Sequence, residues 1–270
     1  MQLSIIKVPG INAFGKTKGC RDSGNGIIGE MKNIWSSGNG KAIDAGRLEI
    51  EEIHVDNENL EEQERMIYEN SLEEIEKNER LIFLGGDHSI SYSIGRAFLE
   101  YCKRNAKEAC LIVFDSHADC MKAGREPSHE EWLRGLIEKG FPSENILLIG
   151  ARNNEIEEER FLREKKIKRI SINQINNDIE GITDSITEFA GKRELYVSFD
   201  IDVVDPAFAP STGYLEPGGL SSRQALYILS RLALVRNLRA LDIVEIDSEK
   251  DKEKGNITLK LGARILGDFL

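Results

Sequence analysis

The feature that most constrains this chain is an alternation of short, almost wholly apolar runs with longer segments of helical period. The runs are LSIIKV (3–8), LEIEEIHV (48–55), RLIFLGG (80–86), CLIVFD (110–115), NILLIG (145–150), IKRISI (167–172), LYVSFD (195–200) and LRALDIVEI (238–246). Several are continuous rather than alternating in polarity, as strands covered on both faces are. Helical patterns lie at 57–77, 89–104, 129–139, 154–166, 221–235 and 256–269, with Ser221–Ser222 as a candidate N-cap. This order predicts an α/β fold with a mostly parallel sheet of about eight strands and helices on both faces. No internal repeat, low-complexity tract or linker divides the chain, so residues 1–270 read as a single domain.

In such sheets ligands gather beyond the carboxyl ends of the strands. The chemistry-bearing residues fall there. GGDHS (85–89) follows RLIFL, DSHAD (115–119) closes CLIVFD, DID (200–202) closes LYVSF, and Glu245 ends LRALDIV. Asp115, His117 and Asp119 alternate, so an extended chain would turn all three to one side. Asp200 and Asp202 repeat the device, and His88 follows a Gly-Gly turn. Taken singly, each element reads as an ordinary turn or a solvated strand end. Together they crowd carboxylates that would repel unless cations neutralise them. Oxygen-rich ligation with some imidazole suits manganese better than structural zinc. Bridging carboxylates would hold two ions about 3.5–4 Å apart, the spacing of two-metal hydrolysis.

The remaining composition narrows the partners. The chain carries 47 acidic and 36 basic residues, a net charge of −11, which disfavours nucleic acid and anionic lipid. No apolar run approaches the roughly 18 residues of a membrane span. The start, MQLSIIKVPG, has no basic region followed by a long apolar stretch, so a cytoplasmic protein is expected. Cys20, Cys102, Cys110 and Cys120 show no paired spacing and read as free thiols, Cys120 as space-filling beside a candidate ligand. His54 reads as surface polarity.

GGDHS, DSHAD and SFDIDVVDP (198–206) resemble the three metal-binding signatures of the arginase/agmatinase (ureohydrolase) family, and AFAPSTGYLEPGGLSSRQAL (207–226) resembles the segment after the third. The resemblance implies a three-layer α/β/α sandwich, a binuclear manganese site, a homotrimer or homohexamer, and hydrolysis of a small cationic guanidino or amidino compound to an amine and urea. Carried onto this chain, one Mn2+ would be held by His88, Asp115, Asp119 and Asp200. The other would be held by Asp115, His117, Asp200 and Asp202. Asp119 would orient the nucleophile and protonate the leaving amine, alone or with His129 as shuttle, and Glu245 would hold the guanidinium. Two readings of other classes are a single-zinc deacetylase-like amidohydrolase and a non-catalytic metal-binding relative. Asp119 and Asp202 argue against the first, His129 and Glu245 against the second.

The chain also departs from the pattern of the family it resembles. The loop CMKAGREPS between Asp119 and His129 is short, which is more similar to agmatinases than to arginases. Cys120-Met121 replaces the Asn-bearing stretch expected of arginases, Glu130-Glu131 follows His129 where a small residue is usual, and Tyr214 stands where many members have threonine. CRDSGNGIIG (20–29) only loosely resembles the family's opening segment. Agmatine is the first choice of substrate, with arginine, another guanidino acid or an amidine as alternatives.

Overall fold

A computed structural model of the chain describes residues 3–12 and 15–270. The apolar runs form β1 (Leu3–Lys7), β2 (Ile50–Glu52), β3 (Arg80–Leu84), β4 (Ala109–Phe114), β5 (Ile146–Ile149), β6 (Lys168–Ile170), β7 (Glu194–Asp200) and β8 (Leu238–Val244). They make one sheet of 8 strands in the order β2-β1-β3-β8-β7-β4-β5-β6, and the pairings are all parallel.

Each strand sends alternate side chains to opposite layers, so the sheet has a core on either face. On one face Cys110, Ile112 and Phe114 of β4 pack against α1 (Ser23–Met31), α6 (Ile172–Asn177), α7 (Ile179–Ala190), α8 (Ser222–Leu232) and α10 (Ile257–Phe269). On the other, Ala109, Leu111 and Val113 pack against α2 (Leu60–Lys77), α3 (Ile90–Arg104), α4 (Trp132–Glu138) and α5 (Ile156–Glu164). The short α9 (Ser248–Lys252) follows β8. The result is a three-layer α/β/α sandwich.

Local chemistry explains the boundaries. Ser221 accepts from Gln224 N and the Gln224 side chain returns the bond, a capping box that starts α8 where the sequence suggests it. Ser171 does the same with Gln174, which ends the strand expected at 167–172 early and begins α6. The helices α1, α6, α7 and α9 lie in segments where the sequence pattern predicts none. The strand order also matters. β4 follows β3 in sequence but not in space, because β7 and β8 later fill the gap between them. The carboxyl ends of β3, β8, β7 and β4 are therefore neighbours, and these four ends carry the candidate ligands.

Candidate metal centre and active site

The loop after β3 is set by glycine. Gly86 has φ +77°, and a Cβ there would lie 2.5 Å from Gly10 O and 2.8 Å from Val8 O, so no side chain is accommodated. Asp87 then anchors the loop by accepting from Asn12 N at 2.8 Å and from Thr17 Oγ1 at 3.0 Å. His88, 1% exposed, turns inward.

His88 Nδ1 lies 3.0 Å from Asp115 Oδ2, 3.0 Å from Asp119 Oδ2 and 3.1 Å from Asp200 Oδ2. Beside this group, His117 Nδ1 lies 3.1 Å from Asp202 Oδ2 and 3.5 Å from Asp115 Oδ1. Ligand atoms of His88, Asp115 and Asp200 lie within 4.8 Å of one another, as do those of Asp115, His117 and Asp119. The two sets share Asp115. The segment 115–119 is not extended as expected from its spacing. It bends after Asp115, and Asp119 reaches the group from a left-handed backbone, φ +49°. Residues 201–203 likewise form a 3-10 turn, in which Asp202 N donates to Asp200 Oδ1 at 2.8 Å.

Partners behind the cluster orient it. His88 Nε2 is 2.9 Å from Ser198 Oγ, which donates to Asp242 Oδ1 at 2.8 Å. Asp242 also accepts from Ser91 Oγ, Tyr196 OH and Phe199 N, so its carboxylate is saturated by donors. Because the Ser198 proton is committed to Asp242, Ser198 must accept from His88. Nε2 then carries the proton, and Nδ1 presents its lone pair to the carboxylates when the ring is neutral. Arg152 ties the other side together by donating to Asp202 O at 2.9 Å and Glu216 O at 2.6 Å. Asp242 and Arg152 lie outside the signatures, and Ser198, though it opens the third, is not marked by it as a partner of His88. The signal for Asp242 is a lone carboxylate inside the apolar run LRALDIV.

The electrostatics call for cations. Burial, with Asp115 next, pushes the Asp119 carboxyl well above its usual range, and burial with Asp202 and Asp115 does the same to Asp200. Burial disfavours charge on His88, but its three carboxylate neighbours outweigh this and hold the imidazole well above its usual value. No Lys or Arg ion pair reaches these carboxylates among the described residues. His88 Nδ1 and Asp115 Oδ2 are buried without a hydrogen-bond partner. Converging lone pairs of this kind, on oxygen and imidazole nitrogen, fit divalent metal ions.

Glu245 is 3% exposed and stands at φ +65° just past β8. Its Oε1 accepts from His88 N at 2.8 Å, while Oε2 lies 3.7 Å from Cys20 Sγ and faces Gly213. Burial and then Asp87 push its carboxyl well above the usual range. His129 lies in the turn before α4, and neither ring nitrogen has a hydrogen-bond partner. Tyr214 stands between the two histidines, its ring centroid 5.7 Å from both His117 and His129. Glu130 Oε1 is 3.4 Å from Tyr214 OH, Glu216 Oε1 is 3.7 Å from His117 Nε2, and Lys16 Nζ lies 4.3 Å over the Tyr214 ring. His54 is exposed beside Glu52, and the cysteines are free and buried.

A parallel α/β/α sandwich with a carboxylate–histidine cluster on four adjacent strand ends has clear relatives. The arginase family matches residues 2–270, and the chain belongs to that family. It is 30% identical over 219 residues to an arginase of Schizosaccharomyces pombe, covering 72% of this chain and 65% of that protein. It is 33% identical over 199 residues to an agmatinase of Neisseria meningitidis, covering 73% of this chain and 60% of that protein. The structure of proclavaminate amidino hydrolase from Streptomyces clavuligerus superposes with TM-score 0.86 at 25% identity, covering 99% of this chain and 90% of that one. The match thus spans less than two-thirds of the length of these curated relatives. Among the described residues, no helix is long and apolar enough to cross a membrane.

Proposed function

We propose that this chain hydrolyses a guanidino C–N bond, releasing urea and an amine, with agmatine as its first-choice substrate. The observation that carries the reading is the convergence of Asp115, Asp119 and Asp200 on His88 Nδ1, with Glu245 bonded to the same loop. We assign one ion to His88, Asp115, Asp119 and Asp200, and a second to Asp115, His117, Asp200 and Asp202. Manganese fits this donor set. Bound there, the two ions would supply Lewis acidity that ionises water near neutral pH.

The chain's own residues do the rest. Glu245, whose Oε1 holds His88 N, would take the planar guanidinium through N–H bonds to its carboxylate. Asp119 directs the attacking oxygen at the guanidino carbon. As the carbon–amine bond breaks, the leaving nitrogen takes its proton from Asp119, with His129 as relay. The partnerless ring nitrogens of His129 support that role.

Glu130 beside Tyr214 and Glu216 beside His117 favour a cationic tail, as on agmatine. A carboxylate tail is the second reading, because Lys16 stands over Tyr214. Urea release measured with manganese across agmatine, arginine and guanidino acids separates them, with amine release followed for amidines. Turnover of agmatine above the acids supports the first reading, arginine or a guanidino acid ahead supports the second, and no urea from any guanidine refutes both. Assembly as a homotrimer or homohexamer goes with the family reading, and light scattering tests it.

A further inference from the structure

We infer that Trp132 is a positioning residue that sorts the two oxygens of Asp119, fixing one for the metal and leaving the other for the reaction. The inference rests on the metal-site reading above. Trp132 is fully buried, and its indole Nε1–H donates to Asp119 Oδ2 at 2.8 Å. Its ring lies against His88, centroids 4.6 Å apart and tilted by 38°. One side chain therefore touches both partners of the pair whose facing atoms, His88 Nδ1 and Asp119 Oδ2, lie 3.0 Å apart.

The backbone around it is built to the same end. Asp119 holds a left-handed φ of +49°, which favours glycine or asparagine over most side chains and persists only where neighbours enforce it. The enforcing contacts come from the start of α4. Leu133 N and Arg134 N donate to Asp119 O at 3.2 and 3.3 Å, while Trp132 binds the side chain. Three consecutive residues thus grip Asp119 at its carbonyl and its carboxylate. Met121 N donates to Glu130 O at 3.1 Å, closing the loop that begins and ends at this ligand.

An indole nitrogen is a donor only, so Trp132 can satisfy Oδ2 but cannot ligate an ion itself. Its bond stops the carboxylate from rotating and exchanging its oxygens. Oδ2 stays beside His88 Nδ1. Among the described residues no hydrogen bond reaches Oδ1, which is left to direct the attacking oxygen and pass the proton on. The sequence places this tryptophan three residues beyond His129, on the segment where the chain departs from its family with Glu130-Glu131.

The test uses the whole protein. Trp35, 78% exposed, is the only other tryptophan, so Trp35→Phe leaves Trp132 as sole fluorophore. Manganese added to chelated Trp35→Phe protein should quench Trp132 emission with the same midpoint as metal uptake. Trp132→Phe keeps a ring on His88 and removes the N–H. It should weaken metal binding and lower kcat, each by about tenfold or more as expected for a lost bond to a charged group, with KM within about twofold. In the Asp119→Asn background the same change should add little, because both act through one carboxylate. A pure packing role predicts instead a lower Tm with kcat and metal affinity kept, or losses that add in the double variant, and either overturns the inference. If Trp132→Phe does not fold, emission that ignores a fully bound metal overturns it. A chain that takes up no manganese overturns the metal-site reading, and this inference with it.

Discussion

Replacing Glu245 by Gln separates its observed bond to His88 N from the guanidinium-binding role proposed for the same carboxylate. Oε1 accepts from His88 N at 2.8 Å, and Oε2 lies 3.7 Å from Cys20 Sγ, on the side of Gly213. A glutamine can turn its amide oxygen to His88 N and keep that bond, so the loop that presents His88 should hold. What is lost is the negative charge, and the amide NH2 now points at a guanidinium that offers only donors. A hydrogen bond to a charged group is worth about 1.5–3 kcal/mol, more where burial leaves a donor unsatisfied. At about 1.4 kcal/mol per decade, kcat/KM should fall between roughly tenfold and 150-fold. The assay is urea release on manganese-loaded protein, with bound metal quantified in the same samples. Agmatine and every other guanidino substrate should suffer alike, because the interaction is with the group they share. Full activity with metal content unchanged would refute the assignment of Glu245 to the guanidinium. Loss of metal would show that its bond to His88 N is the role that matters.

Three further outcomes follow from the same geometry. Asp200→Asn should abolish turnover and weaken both ions, whereas His117→Ala should weaken mainly one, and calorimetric titration of metal into each chelated variant would show it. Ser198→Ala strands His88 Nε2–H in the core and leaves Asp242 Oδ1 with Phe199 N as its remaining donor, so unfolding free energy should drop by about 1–3 kcal/mol and manganese affinity should fall with it; a variant as stable and as tightly loaded as the parent would dismiss the relay. Glu64 lies away from the site, and burial raises its carboxyl pKa, partly offset by Arg96 at 3.5 Å. The folded state therefore holds that proton more tightly than the unfolded state. This contribution is present below the ordinary glutamate value of about 4.3 and is lost as pH rises through the raised one. Glu64→Gln should consequently gain Tm relative to the parent between acid and neutral pH, and a difference that stays flat or shrinks would contradict the assignment.

The fold is legible in the sequence wherever one strand's composition carries the information. β4 and β7 are continuous apolar runs because both faces are covered, and each stops where a carboxylate must face the rim. That coincidence is why the metal-binding signatures can be placed at strand ends from the order of residues alone. What single strands cannot encode is their order. That β8 and β7 sit between β3 and β4 is a long-range outcome, and it is this order that gathers His88, Asp115, Asp200 and Glu245.

Local misses have local causes. In α1, SGNGIIGEM, three glycines in nine residues mask the helix, which tertiary packing of Ile27 and Met31 supports. In α7 the positions Ile179, Ile182, Thr183 and Ile186 do follow a helical period, but β-branched residues and the preceding Asn-rich stretch obscure it. The alternate spacing of Asp115, His117 and Asp119 suits an extended chain, and the bend at Asp119 is enforced by α4, an element distant in period if not in sequence. Trp132 and Asp242 are invisible as site residues because each acts through another side chain, and no pattern of ligand spacing marks such a partner.

These buried carboxylates and histidines are proposed to hold two divalent ions for hydrolysis. The most direct measurement titrates manganese into fully chelated protein and records bound metal and urea release from agmatine and the other guanidines on the same samples. Binding should saturate at two ions per chain, and full activity should require the second. Full activity with a single ion per chain, or urea release that survives complete removal of metal, would contradict this reading.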